Sequence, residues 1–328
     1  MDHTPSPIRS RYELIGEVAR GGCGAVFEAH DLRLGRLVAI KILQSRGFDG
    51  AAAAARFARE TRVAGAIHHP NVCTVTDSGV LEDGSPFFVM ERLYGETLRA
   101  YMARAGRLDA EEAIELAVQM LSGLEAAHEL GIVHRDMKPE NVFLVDRDAK
   151  ARNLPFVKLL DFGMCRRQSA ELAVGSDDHT LTRAGSVVGT PEYMAPEQAS
   201  GRRNFDLRID LYAVGVMLYE TLTGKRAFTG PDPRSVLVSV LARPLRSVRE
   251  IRPELPAEVD RIVARAVERD PRSRYSTSGE FQHHLLSART TLRRQRAAGA
   301  EVRRRDAAPS ASWDLPTLHM AKKARRPA

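Results

Sequence analysis

Residues His134–Phe143 read HRDMKPENVF. An acidic residue, a lysine two positions on and an asparagine five positions on stand in a short polar run after a helical pattern. Asp136 has the chemistry to accept a proton from a hydroxyl. Lys138 can neutralise a phosphoryl group in transfer, and Asn141 can hold a metal through its amide oxygen. Each residue alone would fit a solvated surface loop; the ordered set of three does not.

Three further stretches extend this reading outward. LLDFG (159–163) follows an apolar strand pattern and sets Asp161 at a strand end, where a carboxylate together with Asn141 offers hard oxygen ligands to Mg²⁺. VAIK (38–41) alternates, so Lys41 and Ile40 leave the strand on opposite faces and Lys41 points into a cleft. A buried lysine needs an acidic partner, and Glu60, inside the alanine-rich helical pattern 49–67, is the expected one. VARGGCGAVF (18–27) crowds Gly21, Gly22 and Gly24 between two strand patterns. Measured against G-x-G-x-x-G-x-V and counted back from Val26, the third and second glycines fall on Gly24 and Gly21, and the first on Ala19. A Walker loop or a dinucleotide fingerprint would lead into a helix, and this loop leads into a strand.

Taken in order, these motifs resemble the signature of the serine/threonine protein kinases, particularly the soluble bacterial kind, over residues 12–288. GTPEYMAPEQ (189–198) is similar to the family's P+1 and A-P-E segment. Asp210 falls on its helix-anchoring aspartate, and Arg274 on the arginine that pairs with the A-P-E glutamate, here Glu197. The resemblance implies ATP and Mg²⁺ as cofactors and proteins with Ser or Thr hydroxyls as substrates, Lys138 and GTPEY favouring these over tyrosine. It implies Asp136 as catalytic base, Lys138 on the γ-phosphate, Asn141 and Asp161 as metal ligands, and Lys41 with Glu60 for the α- and β-phosphates. Residues Val18, Ala19, Arg20, Gly21, Gly22, Cys23, Gly24, Ala25 and Val26 would cover the nucleotide. Met90, Glu91, Leu93, Ala39 and Phe143 would complete the adenine site, with Met90 as gatekeeper and the backbones of Glu91 and Leu93 reading the base. The segment Asp161–Glu197 would be an activation loop, phosphorylated first at Thr182, with Thr180 and Ser186 behind it and Arg135 meeting the phosphate. Thr190 is assigned to substrate positioning. Two other readings stay open: a scaffold on the same fold, against which Lys41, Asp136 and Asp161 stand, and a small-molecule kinase, against which the peptide-platform segment stands.

The expected fold is α+β and two-lobed, with a β-rich lobe over 12–93 carrying one main helix, and a helical lobe over 94–288. Residues 1–11 are expected to be flexible. Three scattered cysteines, no apolar leader and no run of about 18 apolar residues point to a cytoplasmic chain without a membrane span. The net charge of +7 comes from the end of the chain, since residues 291–328 hold ten lysines and arginines against three acids. Residues 289–328 are therefore expected to form a disordered basic tail. Any nucleic-acid or acidic-surface partner belongs to that tail. Self-association for autophosphorylation is the other expected partnership.

Overall fold

The computed structural model describes residues 11–22, 24–44, 57, 61–62, 64–146, 155–162, 191–202 and 204–306, the last eight by backbone alone. Strands β1 (Tyr12–Gly21), β2 (Gly24–Asp31) and β3 (Arg36–Leu43) are the three antiparallel strands the alternation predicts. With β4 (Val75–Val80) and β5 (Pro86–Glu91) they form one sheet in the order β1-β2-β3-β5-β4. Alternation splits β3 between two environments. Val38 and Ile40 pack with Tyr12, Ala29, Phe87 and Val89 on one face. Ala39 and Lys41 lie on the other, beside their cross-strand partners Met90 and Phe88. Phe57, Thr61, Arg62, Ala64 and Gly65 are helical, so the described part of the alanine-rich stretch bears out the predicted helix.

The second lobe begins with β6 (Gly95–Thr97) and α1 (Leu98–Ala105), followed by the long α2 (Ala110–Glu129). Asp109 caps α2 by accepting the Glu111 N–H, and Gly131, at φ 71°, lets the chain turn away after it. Strands β7 (Val142–Val145) and β8 (Phe156–Leu159) join β6 in a small antiparallel sheet against α2. The short α3 (Pro196–Ala199) precedes α4 (Arg208–Thr223), which is buried at every position from Ile209 to Thr223. The apolar run at 211–219 is therefore the axis of this lobe rather than a membrane span. Around it stand α5 (Pro233–Ala242), α6 (Val248–Ile251), α7 (Ala257–Ala266) and α8 (Ser278–Asp306). No helix among the described residues is long and apolar enough to cross a membrane.

The expected boundary at 288 falls inside α8, and residues 289–306 are helical rather than disordered. The reason is electrostatic. Arg289 pairs with Glu115, Arg293 with Glu111 at 2.8 Å, and Arg296 with both Asp109 and Glu111, so the arginines lie along the acidic first turns of α2. After Leu292 the described side chains are exposed, so this last part of the helix rests on charge. Exposed pairs are worth up to about 1 kcal/mol each and are weakened by salt. Burial raises the Asp109 carboxyl, but the Arg296 hydrogen bond and the Glu111 N–H outweigh it and hold it below the usual carboxylate range. Its contribution is thus present above about pH 4 and is lost as the pH falls through the lowered value. An R293A/R296A variant should lose 222-nm helicity at pH 7 in low salt. Its difference from wild type should shrink in 1 M salt or at pH 3. A difference insensitive to both would contradict this account.

Candidate functional site

The HRDMKPEN loop connects α2 to β7 and is held from below by Asp210, in the first turn of α4. One Asp210 oxygen accepts the Arg135 N–H at 2.8 Å; the other accepts the His134 N–H at 2.8 Å and faces His128 Nε2 at 3.0 Å. The His134 ring is fully buried, stands 3.3 Å from the Asp136 N–H through Nδ1, and reaches the Leu160 carbonyl at 2.7 Å through Nε2. An N–H needs an acceptor and a carbonyl needs a donor, so the ring is neutral with its proton on Nε2. This ring joins the two motifs directly. It also explains how Arg135 (φ 68°) and Asp161 (φ 56°) keep left-handed backbones, which cost non-glycine residues about 1–3 kcal/mol each.

Asp136 is the third residue of this loop, and its carboxylate takes the Lys138 ammonium at 2.7 Å and the Asn141 amide at 3.2 Å. Asn141 also donates to the Asp136 carbonyl at 2.8 Å. Because the Asn141 nitrogen is committed to Asp136, its amide oxygen is the atom left to act as a metal ligand. Asp161 follows β8, and its carboxylate is paired with Lys41 from β3, across the cleft. The predicted partner Glu60 lies outside the described residues. Lys41, Asp136, Lys138, Asn141 and Asp161 are thus brought to one site by elements from both lobes.

The roof and walls of the cleft follow the sequence reading, with one correction. Ala19 pairs with Val26, Arg20 with Ala25 and Gly21 with Gly24 across β1 and β2, and Arg20 is tied to Glu17 at the exposed tip. A Cβ on Gly21 or Gly22 would meet nothing within 4 Å, whereas one on Gly24 would sit 2.0 Å from the Ile42 carbonyl, at φ 150°. Gly24 is therefore required by the approach of β2 to β3, not by room for a ligand. G24A should destabilise the fold measurably in urea, while G21A and G22A should leave stability within about 0.5 kcal/mol and change only nucleotide KM. Equal stabilities for all three would refute the distinction. Val26, Ala25 and Ala39 are half-buried or buried, Met90 and Phe143 half-buried, and Val18 remains exposed. The Glu91 N–H donates to the Thr74 carbonyl at 3.0 Å, which leaves its carbonyl as the backbone group for an adenine, and the Leu93 carbonyl receives the Arg92 guanidinium. Cys23, Thr180, Thr182, Ser186 and Thr190 lie outside the described residues.

Several connections were not legible in the sequence. The Glu91 carboxylate accepts the Thr74 N–H at 2.8 Å and the Lys158 ammonium at 2.7 Å, joining the end of β5 to the strand before Asp161. Gln198 donates to the Arg135 carbonyl at 3.2 Å and thereby ties α3 to the HRDMKPEN loop. Arg99 bridges Glu140 at 2.9 Å and Glu220 at 3.2 Å and contacts Tyr193, whose phenol is pushed up by burial and by the Glu220 carboxylate. The expected Glu197–Arg274 pair is present, bidentate at 2.8 Å on both arms and buried.

A five-stranded lobe roofing a helical one, with a lysine of the first and carboxylates of the second meeting between them, defines the two-lobed kinase fold. Residues 12–286 match the protein kinase domain model. The chain is 36% identical over 315 residues to the serine/threonine-protein kinase pkn3 of Myxococcus xanthus, covering 95% of this chain and 54% of that one. It is 35% identical over 286 residues to the serine/threonine-protein kinase PknB of Mycobacterium tuberculosis, covering 86% of this chain and 44% of that one. The chain thus spans about half the length of these curated relatives. The crystal structure of the Mycobacterium tuberculosis PknI kinase domain superposes with a TM-score of 0.64 at 23% identity, over 85% of this chain and 96% of that one. That of Rad53 in complex with AMP-PNP gives 0.66 at 23%, over 84% and 65%. The chain belongs to the protein kinase family.

Proposed function

We propose that the chain is a cytoplasmic signalling kinase, dependent on ATP and Mg²⁺, that transfers the γ-phosphoryl group to Ser and Thr hydroxyls of proteins. The observation that carries this reading is the meeting of Asp136, Lys138, Asn141 and Asp161 of the helical lobe with Lys41 of the sheet lobe across the cleft. The residues fit the cofactors. Gly21 and Gly22 leave open space above the cleft, Asp161 offers a carboxylate already paired with a cation, and Asn141 offers an amide oxygen. Magnesium, when bound, supplies charge neutralisation for the phosphate oxygens, and one or two protein ligands suffice to hold it. Asp136 orients the substrate hydroxyl and takes its proton, and Lys138 stands beside it to meet the transferred group. Lys41 orients the phosphates beneath the glycine loop.

Activity is controlled by phosphate at Thr182, Thr180 or Ser186, met by Arg135, whose backbone is fixed through Asp210 and Gln198. A T180A/T182A/S186A variant should lose most of its activity, about tenfold or more if one new charge-assisted contact orders the loop. Full activity in that variant would refute the control. The function itself is tested by incubating the chain with labelled ATP, Mg²⁺ and a basic protein substrate. Labelled phosphoserine or phosphothreonine is expected, and none should form when EDTA is present from the start; failure to label either the substrate or the chain would reject the reading.

A further inference from the structure

Arg92 stands between Glu91 and Leu93, the two residues proposed to read the base, and its guanidinium is fixed from three sides. Its Nε donates to the Glu28 carboxylate on β2 at 2.6 Å, one nitrogen of its fork donates to the Leu93 carbonyl, and its plane lies over the Tyr94 ring, 4.4 Å from the centre. Glu28 is the cross-strand partner of Ala39, so it hangs from the face of the sheet that carries Ala39 and Lys41. The Arg92 and Glu28 side chains are only 19% and 24% exposed, which makes them a held clamp across the end of β5 rather than a fluctuating surface pair.

The clamp changes what the segment can offer to a base. The Glu91 N–H is committed to the Thr74 carbonyl at 3.0 Å, so the Glu91 carbonyl is an available acceptor. The Leu93 N–H makes no hydrogen bond among the described residues and is an available donor. The Leu93 carbonyl, which would be a second acceptor, carries the Arg92 guanidinium. Adenine presents its 6-amino donor beside the N1 acceptor, and this matches the acceptor and donor that are free. Guanine presents an O6 acceptor followed by the N1–H and 2-amino donors. In the adenine register its O6 would face the Glu91 carbonyl, acceptor against acceptor. Shifted by one position, its O6 could take the Leu93 N–H while its N1–H sought the Leu93 carbonyl. A carbonyl has two lone pairs, but a second donor would have to approach beside a cation whose own N–H is already seated there. We infer that Arg92 is a specificity-determining residue: by occupying the Leu93 carbonyl, it withholds the acceptor that a guanine nucleotide needs and restricts the site to adenine. Arg92 has this role only if the cleft takes a purine nucleotide, as proposed above.

The test is competition of AMP-PNP and GMP-PNP against the fluorescent nucleotide mant-ADP, with Mg²⁺, on the full chain. Wild type should prefer AMP-PNP by about a hundredfold or more. Arg92→Ala should tighten GMP-PNP about tenfold, the worth of one recovered hydrogen bond, and the preference should fall accordingly. A gain of affinity is not what a damaged fold produces. Glu28→Ala keeps the guanidinium but unpins it, so it should give a smaller gain in the same direction, and it carries the test if Arg92→Ala does not fold. Inosine 5′-triphosphate has guanine's O6 and N1–H without the 2-amino group, and it should gain as GMP-PNP does. Three results would overturn the role of Arg92: a wild type that binds AMP-PNP and GMP-PNP equally, no gain for GMP-PNP in either variant, or a gain that the inosine nucleotide does not share. No phosphoryl transfer is needed. Tight AMP-PNP binding with an unchanged ratio would therefore sink this role alone, whereas no nucleotide binding at all would sink the kinase reading with it.

Discussion

Asp136→Asn lowers kcat by a factor on the order of 10²–10⁴, the range in which a positioned general base contributes, while the KM for ATP and the stability stay close to wild type. The geometry predicts this separation. Asparagine keeps the size of the side chain and one oxygen to accept the Lys138 ammonium or the Asn141 amide, which stand at 2.7 and 3.2 Å from the carboxylate. The Asp136 N–H still donates to His134, and its carbonyl still accepts from Asn141, so the loop keeps its shape. What disappears is the negative charge and the basic lone pair that would take the hydroxyl proton. Lys41 and Asp161, the residues proposed to face the nucleotide, pair with each other rather than with Asp136 and are untouched. Steady-state kinetics with saturating ATP, beside urea unfolding, checks the claim. A variant retaining more than about a tenth of wild-type kcat would remove Asp136 from the role of base.

How far the fold was legible depended on where its determinants sit along the chain. Period-two alternation in 12–43 and the apolar run in α4 were sufficient for the first sheet and the central helix, because burial on one face or all round writes itself directly into residue type. The site residues were legible for a different reason: Asp136, Lys138, Asn141 and Asp161 are close in sequence and leave few chemical alternatives. Interactions between distant segments left no such trace. The arginines of α8 meet acids of α2 more than 170 positions away, and a run of arginines without apolar spacing reads as a solvated tail. Gly24 misled in another way. A glycine in a phosphate-type loop suggests room for a ligand, yet the atom that forbids a side chain there is the Ile42 carbonyl. Helix α1 is only eight residues long, too short for a periodic apolar signal, although Thr97 caps it by accepting the Ala100 N–H.

Removing Arg274 should be the most damaging single change to stability. Its guanidinium is fully buried, and all five N–H groups are committed: two to the Glu197 oxygens at 2.8 Å, the others to the carbonyls of Glu268, Arg208 and Arg269 at 2.6, 3.3 and 3.1 Å. Arg274→Met fills comparable space but leaves the Glu197 carboxylate, 6% exposed, without a counter-charge, and three carbonyls without donors. Breaking a buried pair from one side costs about 3–5 kcal/mol. Arg274→Lys keeps the charge but has three donors and no planar fork, so it should recover only part of the loss. E197M/R274M should also be less damaged than Arg274→Met alone, because the cost lies in stranding one charge rather than in lacking the pair. Urea unfolding at pH 7 measures all three variants. A loss below about 1 kcal/mol for Arg274→Met would mean that Glu197 finds water or another donor. The pair also bears on activity. Glu197 precedes Gln198, whose amide holds the Arg135 carbonyl beside Asp136, the proposed base, so Arg274→Lys should lower kcat more than it raises the KM for ATP. An ion pair far from the transferred group would then act on the reaction through the position of one loop.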